Sequence, residues 1–381
     1  MGLITLAMGI YLGGHPSTLP EPVRNVFVED SDGEIYDEAI DTIERDYYRK
    51  VDREDLLNQS LDNAVRSLDD RFSHYFAPRD YADFQQATEG RFEGVGMSVT
   101  PVDEGLRIVA VYAGSPAARG GLKKGDLITE VDGKSIAGST SEESTTRIKG
   151  PAGTEVKLTV KTGKEDARVL TLKREEVEIP IVQSKMREVN GRKIAWVRLA
   201  GFTAGAHDAV KEGVTKLLDD GAEGVVLDLR DNGGGLLDEA VQVSSIFIPD
   251  GRVVSTRGRA RPERVYDATG GAIDTDIPVV VLVNNNSASA SEIVTGALQD
   301  RDRATVVGTR TFGKGVFQEI EPLSNGGALD ITVGEYFLPS GRNLGGGGVE
   351  RGAGVKPDVE AKDDPKTPRD EALQAALQEA A

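Results

Sequence analysis

The chain contains no cysteine, three histidines and one tryptophan among its 381 residues. Without cysteine there is no disulfide, no thiolate nucleophile and no thiolate metal site. Positive charge is also short. With 45 Lys and Arg against 63 Asp and Glu, the net charge is −18, so the basic face that a nucleic-acid partner calls for is not expected. Long apolar runs are lacking as well. In "MGLITLAMGIYLGGHP" residues 3–12 are too few to cross a bilayer and about right for a signal-peptide core, yet no Lys or Arg precedes them. A signal-like segment, a misassigned or shortened start, a weak membrane anchor and a buried N-terminal helix all stay open for residues 1–24.

A hydrophobic content of 38 % is enough to bury a core divided over two or three domains. Over residues 31–88 the apolar positions repeat with helical period. Tyr36, Ile40, Ile43 and Tyr47 share one face, and Leu57, Leu61, Ala64, Val65 and Leu68 another. This predicts an N-terminal helical module over residues 25–89, ending in "LDDRFSHYFAPRDYADF". Residues 90–177 switch to strand-like runs such as "LRIVAVY" and "EVKLTVKTG", punctuated by Gly, Pro and Asp-Gly turns, and predict a compact β domain. Residues 178–361 then alternate, with "KIAWVRL", "GVVLDLR", "IPVVVLV" and "ATVVG" as strands and amphipathic helices between them. That order argues for a largely parallel sheet with right-handed crossovers and chemistry at the carboxyl ends of its strands. Residues 362–381 form a charged tail with a short Ala-rich helix.

One such end carries "NNNSASASEI", residues 284–293, with serines at 287, 289 and 291. Only Ser289 has a glutamate three positions on, so it reads as the N-cap of a capping box with Glu292. The same position suits a nucleophile, because the Ala290 amide leaves the helix N-terminus where an oxyanion would sit. A serine needs a base. His15 and His74 lie outside the catalytic-looking region, and His207, at the start of a helix, is a weak candidate. Lys314 in "TRTFGKGVFQ" is the other, provided burial leaves its amine neutral, and Gln318 stands four positions on to orient it. The stretch "GTRTFGKG" imitates a phosphate loop, but Gly315 stands where Ser or Thr should follow, and the next residues read as a strand. The run "DLRDNGGG" offers further amides for an oxyanion hole.

Taken together, "LDDRFSHYF", "GVGMSV", "AGSPAARGGLKKGDLITEVDG", "VVLDLRDNGGGLLDEAV", "VLVNNNSASASEIVTGALQD", "RATVVGTRTFGKGVFQ" and "YFLPSGR" resemble the carboxyl-terminal processing protease family, in family order over about residues 65–360. The resemblance implies an α/β protein with a crotonase-like protease core, an inserted PDZ domain and the N-terminal helical module. It implies Ser289 as nucleophile, Lys314 as base 25 positions later, Gln318 as its orienting partner, and an oxyanion hole from the amides of Gly235 and Ala290. It further implies a PDZ carboxylate loop at Gly94, Val95, Gly96 and Met97, peptide substrates with free C-termini, no cofactor, no metal, a homodimer and an extracytoplasmic location, membrane-associated if the N-terminal segment anchors it. The chain departs from the family in two places. Asn232 is followed by three glycines where many members have Asn-Pro-Gly-Gly, and Lys149 replaces an arginine thought to sense substrate. Two rivals to the protease are a catalytically inactive PDZ adaptor and a crotonase-like acyl-transfer enzyme acting on coenzyme-A esters.

Overall fold

The computed structural model describes residues 31–163, 165–348, 353–364 and 366–381; the signal-like stretch and His15 lie outside them. The N-terminal module opens with helices α1 (Ser31–Asp46) and α2 (Arg53–Arg66). Asp52 starts α2 by accepting the Glu54 amide at 2.8 Å, which satisfies one of the unpaired donors of the first turn. The periodic face of α1 is only partly covered. Ile40 is buried, whereas Tyr36, Ile43 and Tyr47 remain 41 %, 41 % and 46 % exposed. Strand β1 (His74–Phe76) and helix α3 (Pro78–Glu89) complete the module.

Next come β2 (Arg91–Gly94), β3 (Met97–Val102), β4 (Gly105–Val111), α4 (Pro116–Arg119), β5 (Leu127–Val131), β6 (Lys134–Ser135), α5 (Ser141–Ile148), β7 (Glu155–Lys161), β8 (Arg168–Lys173) and β9 (Glu175–Glu178). Strands β3, β4, β5, β7 and β8 pair antiparallel in that order around a core that includes Leu106, Ile108, Ile128, Val156 and Leu158. β2 and β9 pair with each other, so this β domain is entered and left through one ribbon.

The remaining elements are β10 (Val182–Val189), β11 (Arg192–Leu199), α6 (Ala206–Asp219), β12 (Gly224–Asp228), α7 (Leu237–Ser245), β13 (Arg252–Gly258), β14 (Arg261–Asp267), β15 (Val279–Val283), α8 (Ala290–Asp300), β16 (Thr305–Gly308), β17 (Val316–Pro322), β18 (Ala328–Phe337), β19 (Val359–Glu360) and α9 (Glu371–Glu379). The main sheet runs β10-β11-β12-β15-β16-β19, parallel throughout except for β10 against β11. Every residue of β12 and β15 is buried, which is why these strands are apolar without alternation. Helices α6, α7 and α8 cover one face over Val197, Leu227 and Val281. The other face, with Trp196, Val226 and Leu282, is closed by α9 through Leu373, Ala376 and Leu377. The C-terminal helix is therefore part of the core, and burying a leucine such as Leu377 is worth about 1.5–3 kcal/mol.

A second, antiparallel sheet was not apparent from sequence patterning. Its order is β1-β18-β13-β14, with β17 also paired to β18. β1 comes from the N-terminal module and pairs with β18 in the register His74 to Asp330. Three residues are too few to show a strand period, so "HYF" reads as the end of a helical module when it is an edge strand of the core.

Candidate active site

The main sheet delivers three loops to one place at its carboxyl edge: the turn after β12, the turn between β15 and α8, and the loop between β16 and β17. The three alternate serines divide sharply. Ser287 Oγ donates to the Leu229 carbonyl at 2.8 Å and Ser291 Oγ to the Asn232 carbonyl at 2.8 Å, both fully buried. These two hydroxyls tie the serine loop to the turn after β12, and the Ala288 amide adds a bond to the Asn232 carbonyl at 3.0 Å. Ser289 lies between them with its hydroxyl in no such bond.

Its backbone is unusual, with φ 55° and ψ −115°. A non-glycine residue there is strained by about 1–3 kcal/mol, a cost met at functional sites. Ser289 is the N-cap residue of α8, with Glu292 at the third helical position as the spacing predicts. The Glu292 amide donates to the Ser289 carbonyl at 2.8 Å. In the return bond of the box the Ser289 amide donates to Glu292 Oε2 at 2.9 Å. The serine hydroxyl borders the phenol of Tyr336; burial pushes that phenol's pKa up, and the hydroxyl acts against the rise.

Glu292 does far more than cap. Its fully buried carboxylate accepts four hydrogen bonds: from the amides of Ser289 (2.9 Å), Gly313 (2.7 Å) and Lys314 (2.9 Å) and from Thr311 Oγ1 (2.6 Å). Burial raises its pKa and the four donors oppose that rise. One side chain thereby fixes the serine turn and the lysine loop to each other.

Lys314 Nζ donates to Gln318 Oε1 at 2.7 Å, and Gln318 Nε2 donates to Thr332 Oγ1 at 2.9 Å. The amine also lies 4.8 Å from the ring centre of Phe72. Burial lowers its pKa, although Asp330, Asp70 and Glu292 each pull the other way. Among the described residues no hydrogen bond joins Nζ to Ser289 Oγ; the amine's polar contact is with Gln318.

The amides of Gly235 and of Ala290, the residue after the serine, donate to no acceptor among the described residues. The neighbouring Gly234 amide is taken by Asn232 Oδ1 at 2.9 Å, and Asn232 is itself buried and donates to the Leu199 carbonyl at 3.0 Å. Gly234 has φ 108°, and a Cβ there would sit 2.9 Å from the Ser289 Cβ and 3.1 Å from the Ala290 nitrogen. Only glycine lets this turn approach the serine so closely.

The other sequence candidates fall elsewhere. His207, in the first turn of α6, is held by Glu239 at Nδ1 (3.2 Å) and Asp208 at Nε2 (3.2 Å). His74 is exposed on β1. Gly94, Val95, Gly96 and Met97 form the turn from β2 into β3. The Val95 carbonyl accepts the Ala117 amide (2.7 Å), and the Gly96 carbonyl accepts the Tyr112 amide (3.0 Å) and Ser115 Oγ (3.0 Å). With the carbonyls so occupied, the amides of Val95 and Gly96 donate to no acceptor among the described residues. Lys149 lines a surface cavity with Arg79, Asp83 and Glu93 between α3 and the end of α5. Sequence reasoning missed Phe72, Thr332, Tyr336 and the wider reach of Glu292, all of which come together only through tertiary contacts.

Comparison with known proteins gives a consistent picture. The model of "Peptidase family S41" matches residues 193–361 and a PDZ domain model matches residues 107–162. A carboxy-terminal-processing protease of Bartonella bacilliformis is 36 % identical over 363 residues, covering 94 % of this chain and 79 % of that protein. A probable CtpA-like serine protease of Staphylococcus aureus is 35 % identical over 82 % of this chain, which spans 62 % of that relative's length. Among solved structures, the photosystem II D1 C-terminal processing protease superposes with a TM-score of 0.52 at 28 % identity, covering 92 % of this chain and 97 % of that one. A putative S41 protease of Bacteroides fragilis, at 20 % identity over 89 % of this chain and 96 % of that one, shares the fold with a TM-score of 0.53.

Proposed function

The chain belongs to peptidase family S41, among the PDZ-containing carboxy-terminal-processing serine proteases, and we propose that Ser289 and Lys314 are its nucleophile and base. The observation that carries this reading is the shared oxygen of Glu292, which accepts both backbone amides at 2.9 Å and so anchors the serine turn and the lysine loop together. A neutral lysine has two N–H bonds and one lone pair. Donation to Gln318 uses an N–H and leaves the lone pair to take the serine proton.

In the reaction, Ser289 Oγ bonds to the peptide carbonyl carbon while its proton passes to Lys314 Nζ. The amides of Gly235 and Ala290 hold the oxyanion. The C–N bond then breaks, the lysine returns the proton to the departing amine, and an ester remains on Ser289. Water gives a proton to the same amine as it attacks the ester carbon, the acyl–oxygen bond breaks, and the lysine returns that proton to Ser289 Oγ as the new carboxylate leaves. Because the base must be uncharged, activity rises with pH through the lowered pKa of Lys314.

Substrates are protein chains whose free C-termini are gripped by the PDZ domain. The open amides of Val95 and Gly96 suit a terminal carboxylate, and the adjacent strand β3 accepts the peptide as an added strand. The exposed Tyr36, Ile43 and Tyr47 face of α1 fits a second copy of the chain. We place the enzyme outside the cytoplasm, in the cell envelope; among the described residues no helix is long and apolar enough to cross a membrane.

The test is cleavage of an unfolded protein with a free C-terminus. Wild type degrades it and Ser289→Ala and Lys314→Met do not, while mass spectrometry of the quenched wild-type reaction finds the acyl adduct on Ser289. Hydrolysis by Lys314→Met at the wild-type rate removes the lysine from the mechanism.

A further inference from the structure

We propose that residues 69–76 of the N-terminal module are a working part of the active site, in which Phe72 covers the Lys314 amine and a hydrogen-bonded chain from Asp70 holds Gln318 in place. This rests on the reading of Lys314 as the base.

The segment reaches the site by its own local chemistry. Asp69 takes a left-handed turn (φ 53°) after α2, and Asp70 then accepts the Phe72 amide at 3.0 Å and Ser73 Oγ at 2.7 Å. That turn sets the direction of Phe72 and delivers the chain into β1, paired with β18. Ser73 Oγ in turn accepts the Thr332 amide of β18 at 3.0 Å, and Thr332 Oγ1 accepts Gln318 Nε2 at 2.9 Å. Gln318 Oε1 receives the amine at 2.7 Å. Every link from Asp70 to Lys314 is therefore a hydrogen bond, and the chain crosses from the N-terminal module to the core.

Phe72 supplies the apolar wall. Its ring centre lies 4.8 Å from Lys314 Nζ, and the guanidinium of Arg71 lies 4.7 Å from the same ring and 5.3 Å from that of Phe312. The charged and titratable groups around the amine are Asp330 on β18, Asp70 in the turn before β1, His74 on β1, Arg71 beside the ring, and Glu292 on α8. A ring at this distance also favours a cation. Burial is nevertheless the largest influence on this amine, so loss of the ring returns it toward its aqueous behaviour. Removing an anion does the reverse. Phe72 is thus a positioning residue that dries the base, and Asp330 and Asp70 temper the effect.

The experiment measures Lys314 directly in the full chain. The rate at which acetic anhydride labels Lys314 is followed against pH by mass spectrometry, in a Ser289→Ala background so that the nucleophile plays no part. Peptide hydrolysis is followed in parallel with Ser289 intact. Phe72→Ala moves the labelling midpoint and the rising limb of hydrolysis to higher pH together, with about a tenfold loss of kcat at neutral pH that is regained in alkali. Phe72→Leu, which restores an apolar cover without the ring, gives a smaller shift in the same direction. Asp330→Asn shifts both curves to lower pH. Two opposite shifts are not the mark of a loosened fold, and where Phe72→Ala does not fold the other two variants decide. A labelling midpoint unmoved by Phe72→Leu and Phe72→Ala overturns the inference. If labelling shifts while the hydrolysis limb stays fixed, the cover is upheld and the role of Lys314 as base falls.

Discussion

Oε2 of Glu292 accepts the backbone amides of Ser289 and Lys314 at the same distance, 2.9 Å. Two loops that approach from different strands thus meet on one oxygen, and their side chains inherit that registration. Glutamine at this position keeps the shape but turns a pure acceptor into a group with two donors of its own, facing amides that can only donate. Glu292→Gln therefore leaves at least one buried donor unpaired, a cost of about 1–3 kcal/mol. Denaturant unfolding reads that loss. Steady-state kinetics read a fall in kcat of roughly ten- to a hundredfold with little change in KM, since no substrate contact is removed.

How legible this was differs by level. The parallel core is plain in the sequence because strands covered on both faces, such as "VVVLV", carry no alternation and their helices carry clear stripes. The second sheet is not, because β1 is three residues long and pairs with a strand some 250 positions away. At the site, the spacing of Ser289 and Glu292 stands out as a capping box, yet the box is the smaller part of what the glutamate does. Glu292 sends its carboxylate 19 to 22 residues ahead to Thr311, Gly313 and Lys314, a contact that no local pattern encodes. Phe72 and Thr332 are invisible for the same reason. Sequence spacing identifies groups with the right chemistry, and the tertiary fold decides which of them is dried and oriented.

Gly234 is the point where the turn after β12 touches the serine. Alanine there is doubly penalised, by a φ of 108° and by a Cβ 2.9 Å from that of Ser289. Gly234→Ala is expected to lower kcat by at least a hundredfold, comparable with removal of an oxyanion donor, because the displaced turn carries Gly235 with it. Binding of a peptide to the PDZ domain stays intact in this variant, and calorimetric titration with a C-terminal peptide checks it.

The clamp on the C-terminal helix predicts an acid sensitivity. Arg230 bridges Asp228, which is fully buried, and Asp370, the N-cap of α9, at 2.7 Å each. Burial alone would raise the Asp370 carboxyl, but its bonds to Arg230 and to the Leu373 amide outweigh it, so the pKa lies below the ordinary 3.8. A group whose pKa is depressed by folding contributes stability above its unfolded value and loses it as pH falls through the folded one. Wild type should therefore lose part of its resistance to urea below about pH 4, and Asp370→Asn should flatten that segment of the curve. Arg230→Met is far worse, costing about 3–5 kcal/mol, because it leaves Asp228 as an uncompensated buried charge.

Recognition of the substrate terminus is expected to be separable from catalysis. Gly96 has φ 80°, and a Cβ would collide with the side chain of Ser115, so alanine must displace the turn that carries the open amides of Val95 and Gly96. A carboxylate held by two such amides gains about 1.5–3 kcal/mol for each charge-assisted bond. Gly96→Ala should then raise KM at least tenfold for a protein ending in a free carboxylate, whereas an amidated version of the same protein, already deprived of those bonds, should lose little more. The two proteins differ by one terminal group, so their ratio of kcat/KM isolates the turn from everything at Ser289. Equal losses on both would mean that the PDZ domain reads the substrate by its side chains and that the terminal charge is left in water.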